Sequence, residues 1–508
     1  MRPVLARNTA LPALLLAIIA CASPFPASID AVTSQATQTS PTNTSPLTTS
    51  PDDRKQAMRA GFEHDLDEFE QGLHYSLNLH LELGPVRLRG HQRTHYVNTT
   101  GVTLKDIVFR LVANGLYSKI LETVTNVTAG GTPADTALSV NNSVLTVTLP
   151  QPLAADANID IEMDTVLDLP PNEEISYGRL ADNGDIILLS SFFPMVSVYE
   201  KGAWWTDPTV EQGDPAYSES ALFDVSLTAP SSLKLAASGI TIAANPGDSG
   251  TTDYQLISGP IRDFTLTLSP NFELQTQTQD GVTVNIWSSP GDSRSDDLAM
   301  QKTLKSLEIF DKMFGKYPFS EFDVVESPMT ALGIEYPGLV YIAKSAWSYQ
   351  DSNLFEFVLS HEIGHQWWYS LVGNDQINEP WVDEALADYS VIVYFREQYG
   401  VDAGNRVRDY YQRDVNNYVS EHGTRMPTGL PVKAYDEDQY GTFVYSAGAL
   451  YYSRLEDDYH TDRVTQMLQA YFTRHRYGLA HSADLRSITV EFFGDKAGAF
   501  FDDWVKGK

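Results

Sequence analysis

Residues 354–372, LFEFVLSHEIGHQWWYSLV, decide which fold the second half of this chain is expected to have. We predict a helix through this stretch, with Asp351 or Ser352 as its N-cap. The centre of the stretch is the motif HEIGH, residues 361–365, in which two histidines are four residues apart. Residues at this spacing share one face of a helix, so both imidazoles can bind the same metal ion.

The motif predicts a catalytic zinc site, with His361 and His365 as protein ligands and Glu362 as the general base. A tetrahedral catalytic zinc ion takes a third protein ligand and leaves its fourth position to water. The segment NEPWVDEALADYS, residues 378–390, supplies Glu384 for this purpose on a second predicted helix.

Two neighbouring carboxylates compete with Glu384 as the third ligand. They are Glu379 and Asp383, and Asp383 would point roughly 100° away from Glu384 on a helix. Asp388 lies one turn after Glu384 and on the same face. It is expected to accept a hydrogen bond from the distal nitrogen of one of the two histidines. A solvated helix carboxylate is the alternative for Asp388.

The HEIGH motif, with Glu384 nineteen residues beyond His365, resembles the aminopeptidase N group of gluzincin zinc metallopeptidases. In that family the third ligand lies in a Trp-x-x-Glu-x-x-Ala setting, matched here by Trp381, Glu384 and Ala387. The resemblance implies a multidomain α+β fold, in which an antiparallel β domain precedes a thermolysin-like, mainly helical catalytic domain. It also implies one zinc ion per chain and peptide substrates.

The resemblance further assigns a substrate-binding strand. The family has a Gly-x-Met-Glu-Asn strand whose glutamate binds the free α-amine of the substrate. This chain has GIEYP at residues 333–337, which keeps Gly333 and Glu335 but replaces methionine by Ile334 and asparagine by Tyr336. A carboxylate at the edge of a peptide-binding strand can pair with an ammonium group. An ordinary edge-strand glutamate is the alternative.

A tyrosine is the last residue that the resemblance assigns. The family has a Tyr-x-Lys-Gly-Ala segment whose tyrosine hydroxyl stabilises the oxyanion. Here the segment is YSAGA, residues 445–449, in which alanine replaces the lysine. Tyr445 is therefore expected to be catalytic. Tyr440, Tyr451 and Tyr452 are the alternatives.

Two departures from the family pattern bear on selectivity. The family's N-terminal domain supplies a second amine-binding residue near a Pro-Cys-x-Asp run, and the nearest counterpart here is SFFPMVSVYEKGAWW, residues 191–205. The family's large helical domain has no counterpart in the roughly sixty residues after Tyr445, so we expect a short form with an open cleft. Selectivity for a free N-terminus would then depend mainly on Glu335.

The first residues are predicted to be an export signal. Arg2 and Arg7 precede the apolar run LPALLLAIIACA, residues 11–22, which is shorter than the ~20 residues that span a bilayer. The run IIAC ends at Cys21 and resembles a bacterial lipobox, so residues 1–21 are predicted to be a signal peptide with Cys21 as the lipid attachment site. We therefore expect a lipoprotein on the extracellular face of a bacterial membrane. An ordinary cleaved signal and secretion are the alternative.

Composition divides the rest of the chain. Residues 22–53 are rich in serine, threonine and proline and are predicted to be a disordered linker. A helix is predicted at about 54–70. Alternating apolar and polar residues then predict strands, which gives an N-terminal β-rich domain over residues 54–272. Helical periodicity dominates the catalytic domain, predicted over residues 273–508.

The charge argues against one class of function, and the cysteine content excludes one kind of cross-link. The 508 residues include 35 basic and 66 acidic ones, a formal net charge of −31, which disfavours binding to nucleic acid. A single cysteine excludes an intramolecular disulfide. The function expected is zinc-dependent removal of N-terminal residues from peptides. The alternatives are an open-cleft endopeptidase and a surface-tethered binding module on a peptidase scaffold. The sequence does not predict the oligomeric state.

Overall fold

The structure is a computed structural model, and it describes residues 50–117, 121–169, 177–210, 212–291, 293–348 and 353–507. The predicted signal peptide, Cys21 and the predicted N-caps Asp351 and Ser352 lie outside these residues, as does the linker up to residue 49. The predicted α+β order is confirmed, because strands dominate the first half of the described chain and helices the second.

The first half is built around an eight-stranded sheet. Its order in space is Ile240–Pro246, Thr251–Ile257, Leu222–Pro230, His74–Glu82, Arg87–Val97, Asn158–Asp168, Glu122–Ala129 and Thr132–Pro133. The alternating sequence of His74–Glu82 explains why the sheet has one buried face. Along this strand Tyr75, Leu77, Leu79 and Leu81 are each at most 4% exposed, and the residues between them are more exposed.

One pair of strands in this sheet is an exception to the predicted antiparallel arrangement. His74–Glu82 runs parallel to Leu222–Pro230, with His74 opposite Leu222. Its other neighbour, Arg87–Val97, follows through a tight hairpin and is antiparallel. A hairpin imposes the antiparallel direction, whereas a strand that returns after a long excursion is free to pair in parallel.

Smaller sheets pack beside the large one. Two sheets have four strands each, and a two-stranded hairpin completes the β-rich half. Their strands, in spatial order, are Lys234–Ala237, Leu266–Ser269, Ile187–Leu189 and Leu180–Asp182; Met195–Val196, Leu104–Arg110, Val144–Leu153 and Thr136–Ser139; and Tyr199–Glu200 with Ala203–Trp204.

The helix predicted at residues 54–70 is wrong. The structure has two short 3₁₀ turns, Lys55–Ala57 and Glu63–Glu68, after a single helical turn at Pro51–Arg54. Gly61 interrupts the segment with a φ of 95°, a value outside helical geometry. The first turn buries Ala57, and the second buries Asp65 and Leu66.

The second half begins with a five-stranded mixed sheet. Its order in space is Glu273–Gln279, Val282–Ser288, Glu321–Ser327, Leu339–Ala343 and Gly333–Tyr336. The last of these, which we call the edge strand, pairs antiparallel with Leu339–Ala343. The edge strand contains the GIEY part of the predicted substrate-binding segment.

Helices cover this sheet. We call Asn353–Gly364 the HEIGH helix and Trp381–Tyr399 the Glu384 helix. The other helices are Ser293–Met313, Lys344–Trp347, Val401–His422, Glu437–Gln439, Ala447–Tyr459, Thr461–His475, Ser482–Phe493 and Asp495–Lys506, with Val112–Leu116 in the first half. Among the described residues, no helix combines the length and apolar character that crossing a bilayer requires.

The HEIGH helix is shorter than predicted, because it ends at Gly364 instead of continuing to residue 372. The chain then turns, and Tyr369 has a φ of 124°. Adjacent helical residues point about 100° apart. The turn instead lets the neighbouring Trp367 and Trp368 both pack against Phe314 in the core.

An arginine from the β-rich half fixes this turn. Arg262 is 2% exposed and donates hydrogen bonds to the backbone carbonyls of Ser218, Ser370 and Gly478. Only Ser218 belongs to the β-rich half, so Arg262 ties the two halves together. A Cβ atom at Gly373 would lie 2.2 Å from its Nη1 atom, so glycine is needed at that position.

Candidate active site

The two histidines of the HEIGH motif and the carboxylate of Glu384 meet at one point. The Nε2 atoms of His361 and His365 lie 3.1 Å apart. They are 3.4 and 3.3 Å, respectively, from Oε2 of Glu384. The three residues are at most 9% exposed. The HEIGH motif and the first turn of the Glu384 helix therefore bring together the three predicted ligands.

The distal ring nitrogens determine which histidine atoms face this point. Nδ1 of His361 lies 2.8 Å from Oδ1 of Asp388, and Nδ1 of His365 lies 3.0 Å from the carbonyl oxygen of Trp368. A carboxylate and a carbonyl can only accept, so both Nδ1 atoms donate. In the neutral rings the two Nε2 atoms consequently carry lone pairs.

This arrangement suits a zinc ion. Within the described chain, Oε2 of Glu384 is buried and accepts no hydrogen bond, and it faces the two imidazole lone pairs. Burial opposes a positive charge on His365, yet the carboxylates of Glu335 and Glu384 raise its pKa, so the site favours a positive charge that a metal ion would supply in place of a ring proton. Two imidazole nitrogens and one carboxylate oxygen are a ligand set that catalytic zinc uses.

The competing carboxylates are used elsewhere. Oδ1 and Oδ2 of Asp383 accept hydrogen bonds from Asn374 at 2.8 Å and from Gln376 at 2.7 Å. Glu379 accepts from the His481 ring at 2.7 Å. Asp383, His365 and Glu335 also have potential ligand atoms within 4.8 Å of one another. That second group shares His365 with the first, and Gln376 already donates to both of its carboxylates.

Glu362 lies beside the three ligands and against the edge strand. It is 5% exposed, and burial raises the pKa of its carboxyl group to about 7. A Cβ atom at Gly333 would lie 2.1 Å from Oε1 of Glu362. Glycine at residue 333 therefore allows the backbone of the edge strand to approach this carboxyl group closely.

Glu335 lies on the same edge strand, two residues further along. It is 5% exposed, and its Oε1 atom accepts a hydrogen bond from Nε2 of Gln376 at 2.9 Å. Burial raises the pKa of Glu335, and the nearby carboxylate of Asp214 adds to this effect. Acidic groups are thus concentrated on the side of the site next to the strand, where a bound cation would stabilise their charged forms.

Tyr445 lies on the other side of Glu384. It belongs to a π-helical segment, Tyr440–Ser446, a kind of irregularity that is frequent at functional sites. Its hydroxyl donates to Oε1 of Glu384 at 2.6 Å, and its ring stacks near the ring of His361 with centroids 5.9 Å apart.

The alternative tyrosines occupy other places. Tyr440 packs edge-on against Tyr445, and its hydroxyl approaches Gly213. Tyr451 packs against Trp381, and Tyr452 against Tyr389. Of the four tyrosines, Tyr445 is the one that bonds a predicted ligand.

The sequence analysis missed residues that the β-rich half contributes near this site. Arg179 pairs with Asp214 at 2.9 Å, and its guanidinium lies over the ring of Tyr177, 4.2 Å from the centroid. Burial raises the pKa of Tyr177, and the charges on Asp214, Glu384 and Glu335 raise it further. Single polar residues in loops have no periodic signal, so the sequence offered no way to find Arg179 and Asp214.

The segment 191–205, the nearest counterpart of the family's second amine-binding run, forms short strands of the β-rich half.

Comparisons with known proteins agree with this geometry. Residues 298–504 match the model of the Peptidase family M1 domain. The chain is 22% identical over 382 residues to Aminopeptidase N of Haemonchus contortus, covering 66% of this chain and 39% of that protein. It is 25% identical over 223 residues to human Endoplasmic reticulum aminopeptidase 2, covering 41% and 23%, respectively. The chain thus spans less than half the length of these curated relatives.

A solved structure has the same fold. The M1 zinc metallopeptidase from Deinococcus radiodurans is 20% identical, with a TM-score of 0.64, and the match covers 86% of this chain and 95% of that one. At this identity the likeness establishes the fold alone.

Proposed function

We propose that this chain, whose residues 298–504 match the model of the Peptidase family M1 domain, is a zinc-dependent aminopeptidase. The observation that carries the proposal is the convergence of two imidazole lone pairs and one unbonded carboxylate oxygen, with Glu362 beside them. Such a set serves hydrolysis, because it holds a metal ion next to a general base.

His361, His365 and Glu384 would hold one zinc ion per chain. Zinc in this position would polarise the scissile carbonyl and lower the pKa of a water molecule. Asp388 also supports the proposal, because its hydrogen bond with Nδ1 of His361 fixes the tautomer and the orientation of that ring.

Two side chains would carry out the steps of the reaction. Glu362 takes the proton from the attacking water and later delivers it to the leaving amine. The Tyr445 hydroxyl, whose single hydrogen is donated to Glu384 in the structure, would turn that hydrogen to the tetrahedral oxyanion. The raised pKa of Glu362 favours its proton uptake near neutral pH.

Glu335 would decide where the peptide is cut. The edge strand can hydrogen-bond an extended peptide along its backbone, and a carboxylate on that strand can pair with the α-ammonium group of the substrate. Anchoring the N-terminus there limits the reaction to the first peptide bond. An N-acetylated peptide, which has no ammonium group, would then be a poor substrate.

We also propose that the protein is exported and held at a membrane by a lipid on Cys21. The support is the lipobox-like run IIAC and the linker composition of the residues that follow. Replacing Cys21 by alanine in the full-length gene should release the protein from the membrane fraction. Retention of the variant at the membrane would contradict this part of the proposal.

The decisive experiment compares one peptide in free and N-acetylated forms, with the products identified by mass spectrometry. Zinc content is measured first, and one ion per chain is expected. Stepwise loss of single residues from the free peptide alone would support the aminopeptidase. Internal cleavage of both forms would make the protein an endopeptidase. Absence of zinc and of hydrolysis after zinc addition would leave a binding module.

A further inference from the structure

A buried loop side chain connects Glu335 to the helix that carries Glu384. Gln376, in the loop before the Glu384 helix, is 2% exposed. Its Nε2 atom lies 2.9 Å from Oε1 of Glu335 and 2.7 Å from Oδ2 of Asp383. Carboxylates can only accept hydrogen bonds, so both amide hydrogens are used, and this identifies the nitrogen of the side chain.

The shared amide restricts the orientation of Glu335. One of its oxygens is bonded to Gln376, which leaves Oε2 for a different donor. A neutral amide can hold two carboxylates without cancelling their charge, whereas lysine or arginine at this position would neutralise them. Gln376 therefore fixes the carboxylate in place and preserves its attraction for a cation.

The oxygen of the same amide supplies a second, independent observation. Oε1 of Gln376 is buried and has no hydrogen-bond partner within the part of the chain that the structure describes. Gln376 and Glu335 both line a small cavity, together with Arg179 and Asp214. An unpaired buried acceptor beside a carboxylate is expected to face a donor when the site is occupied.

We propose that Gln376 is a positioning residue for the substrate N-terminus: it holds Glu335 so that the free carboxylate oxygen faces the α-ammonium group. The inference rests on the proposed function, since it assumes that Glu335 binds an amine. It assigns to Gln376 a role in selectivity for free N-termini and none in the chemical step.

The test measures amine recognition separately from catalysis. Inhibition constants are determined for the amides of leucine, phenylalanine and arginine and for their des-amino analogues. The preference for the amine is the ratio of the inhibition constant of the des-amino analogue to that of the amide. In Gln376→Met this ratio should fall by about tenfold, because the variant keeps the side-chain volume but loses the donor. The inhibition constants of the des-amino analogues, the zinc content and kcat should stay within about threefold of the wild type, while KM for free peptides rises.

A matched control removes a neighbouring donor. Asn374→Ala loses the bond to Oδ1 of Asp383 but leaves Gln376 in contact with Glu335, so the amine preference should stay at the wild-type value. If Gln376→Met is insoluble, Gln376→Leu replaces it. That variant also lacks the donor to Glu335, and the same loss is expected.

Three outcomes would overturn the inference. An undiminished amine preference in the Gln376 variant would refute it and leave the proposed function standing. An equal loss in Asn374→Ala would attribute the effect to Asp383 instead. A wild-type protein that binds the amides no better than their des-amino analogues would refute both the inference and the assignment of Glu335.

Discussion

Oδ1 of Asp388 lies 2.8 Å from Nδ1 of His361, on the helical turn that follows Glu384. One helix thus provides both a candidate ligand and the acceptor that orients another ligand. The carboxylate makes Nδ1 the donor, so the Nε2 lone pair points at the metal position.

This relationship predicts that Asp388→Asn weakens zinc binding. Loss of the charged acceptor should lower zinc affinity by about 10- to 100-fold, because the ring becomes less basic and is less well oriented. Competition with a chromogenic chelator measures the affinity. Unchanged affinity, with normal folding by circular dichroism, would remove Asp388 from the metal centre.

Glu362→Gln should separate zinc binding from catalysis. The substitution keeps the shape of the side chain but cannot take up a proton, so kcat should fall by roughly 10³-fold or more. Zinc content by atomic absorption should stay at the wild-type level. Turnover close to that of the wild type would refute the role of general base.

Tyr445→Phe should lower kcat by about 100-fold and leave zinc content intact, because it removes one donor to the oxyanion. Steady-state kinetics with a free dipeptide amide measure the effect. Tyr452→Phe is the matched control, since that hydroxyl is buried without a hydrogen-bond partner in the described chain. Equal losses in the two variants would show that Tyr445 acts through packing.

His481 should make stability depend on pH. Its ring bonds Glu379 at 2.7 Å and Glu200 at 2.9 Å, and these contacts raise its pKa from 6.5 to about 9. Because the folded-state pKa is the higher one, the stabilisation is complete below pH 6.5 and is lost as the pH rises through 9.

The measurement compares urea unfolding of the wild type and His481→Gln at pH 6 and pH 9.5. The wild-type advantage should be about 1–2 kcal/mol at pH 6, discounted for partial solvent exposure, and should approach zero at pH 9.5. An advantage that does not change with pH would contradict the prediction.

Arg262→Met should destabilise the protein by roughly 3 kcal/mol, because three buried carbonyls lose a charged donor. Since Arg262 holds the turn after the HEIGH helix, zinc affinity should fall as well. Thermal unfolding and chelator competition on the same sample test both effects. A stability change below about 0.5 kcal/mol would show that water replaces the guanidinium.

Most of the features that the sequence could predict belong to helices and strands with a regular periodicity. The four-residue spacing of His361 and His365 places both on one helical face, and the next turn after Glu384 brings Asp388 to the same face. These relations depend only on helix geometry, so they can be predicted without knowledge of the tertiary structure.

The features that were predicted wrongly or not at all depend on contacts between residues that are far apart in the sequence. A period-2 pattern shows that His74–Glu82 is a strand, but it does not identify Leu222–Pro230 as a parallel neighbour. The end of the HEIGH helix follows from the burial of Trp367 and Trp368 against Phe314. Gln376 is a single polar residue in a loop, and nothing in its neighbourhood along the chain marks its two carboxylate partners.

The parallel pairing in the eight-stranded sheet also constrains the order of folding. His74–Glu82 lies in the middle of that sheet, yet its partner Leu222–Pro230 leaves the ribosome much later. The sheet is incomplete until then, so the early strands have an unpaired backbone edge and an uncovered apolar face. Contacts this distant in sequence slow folding and expose such edges to misassembly. During synthesis or export, chaperone binding to the first strands is therefore expected to favour correct folding.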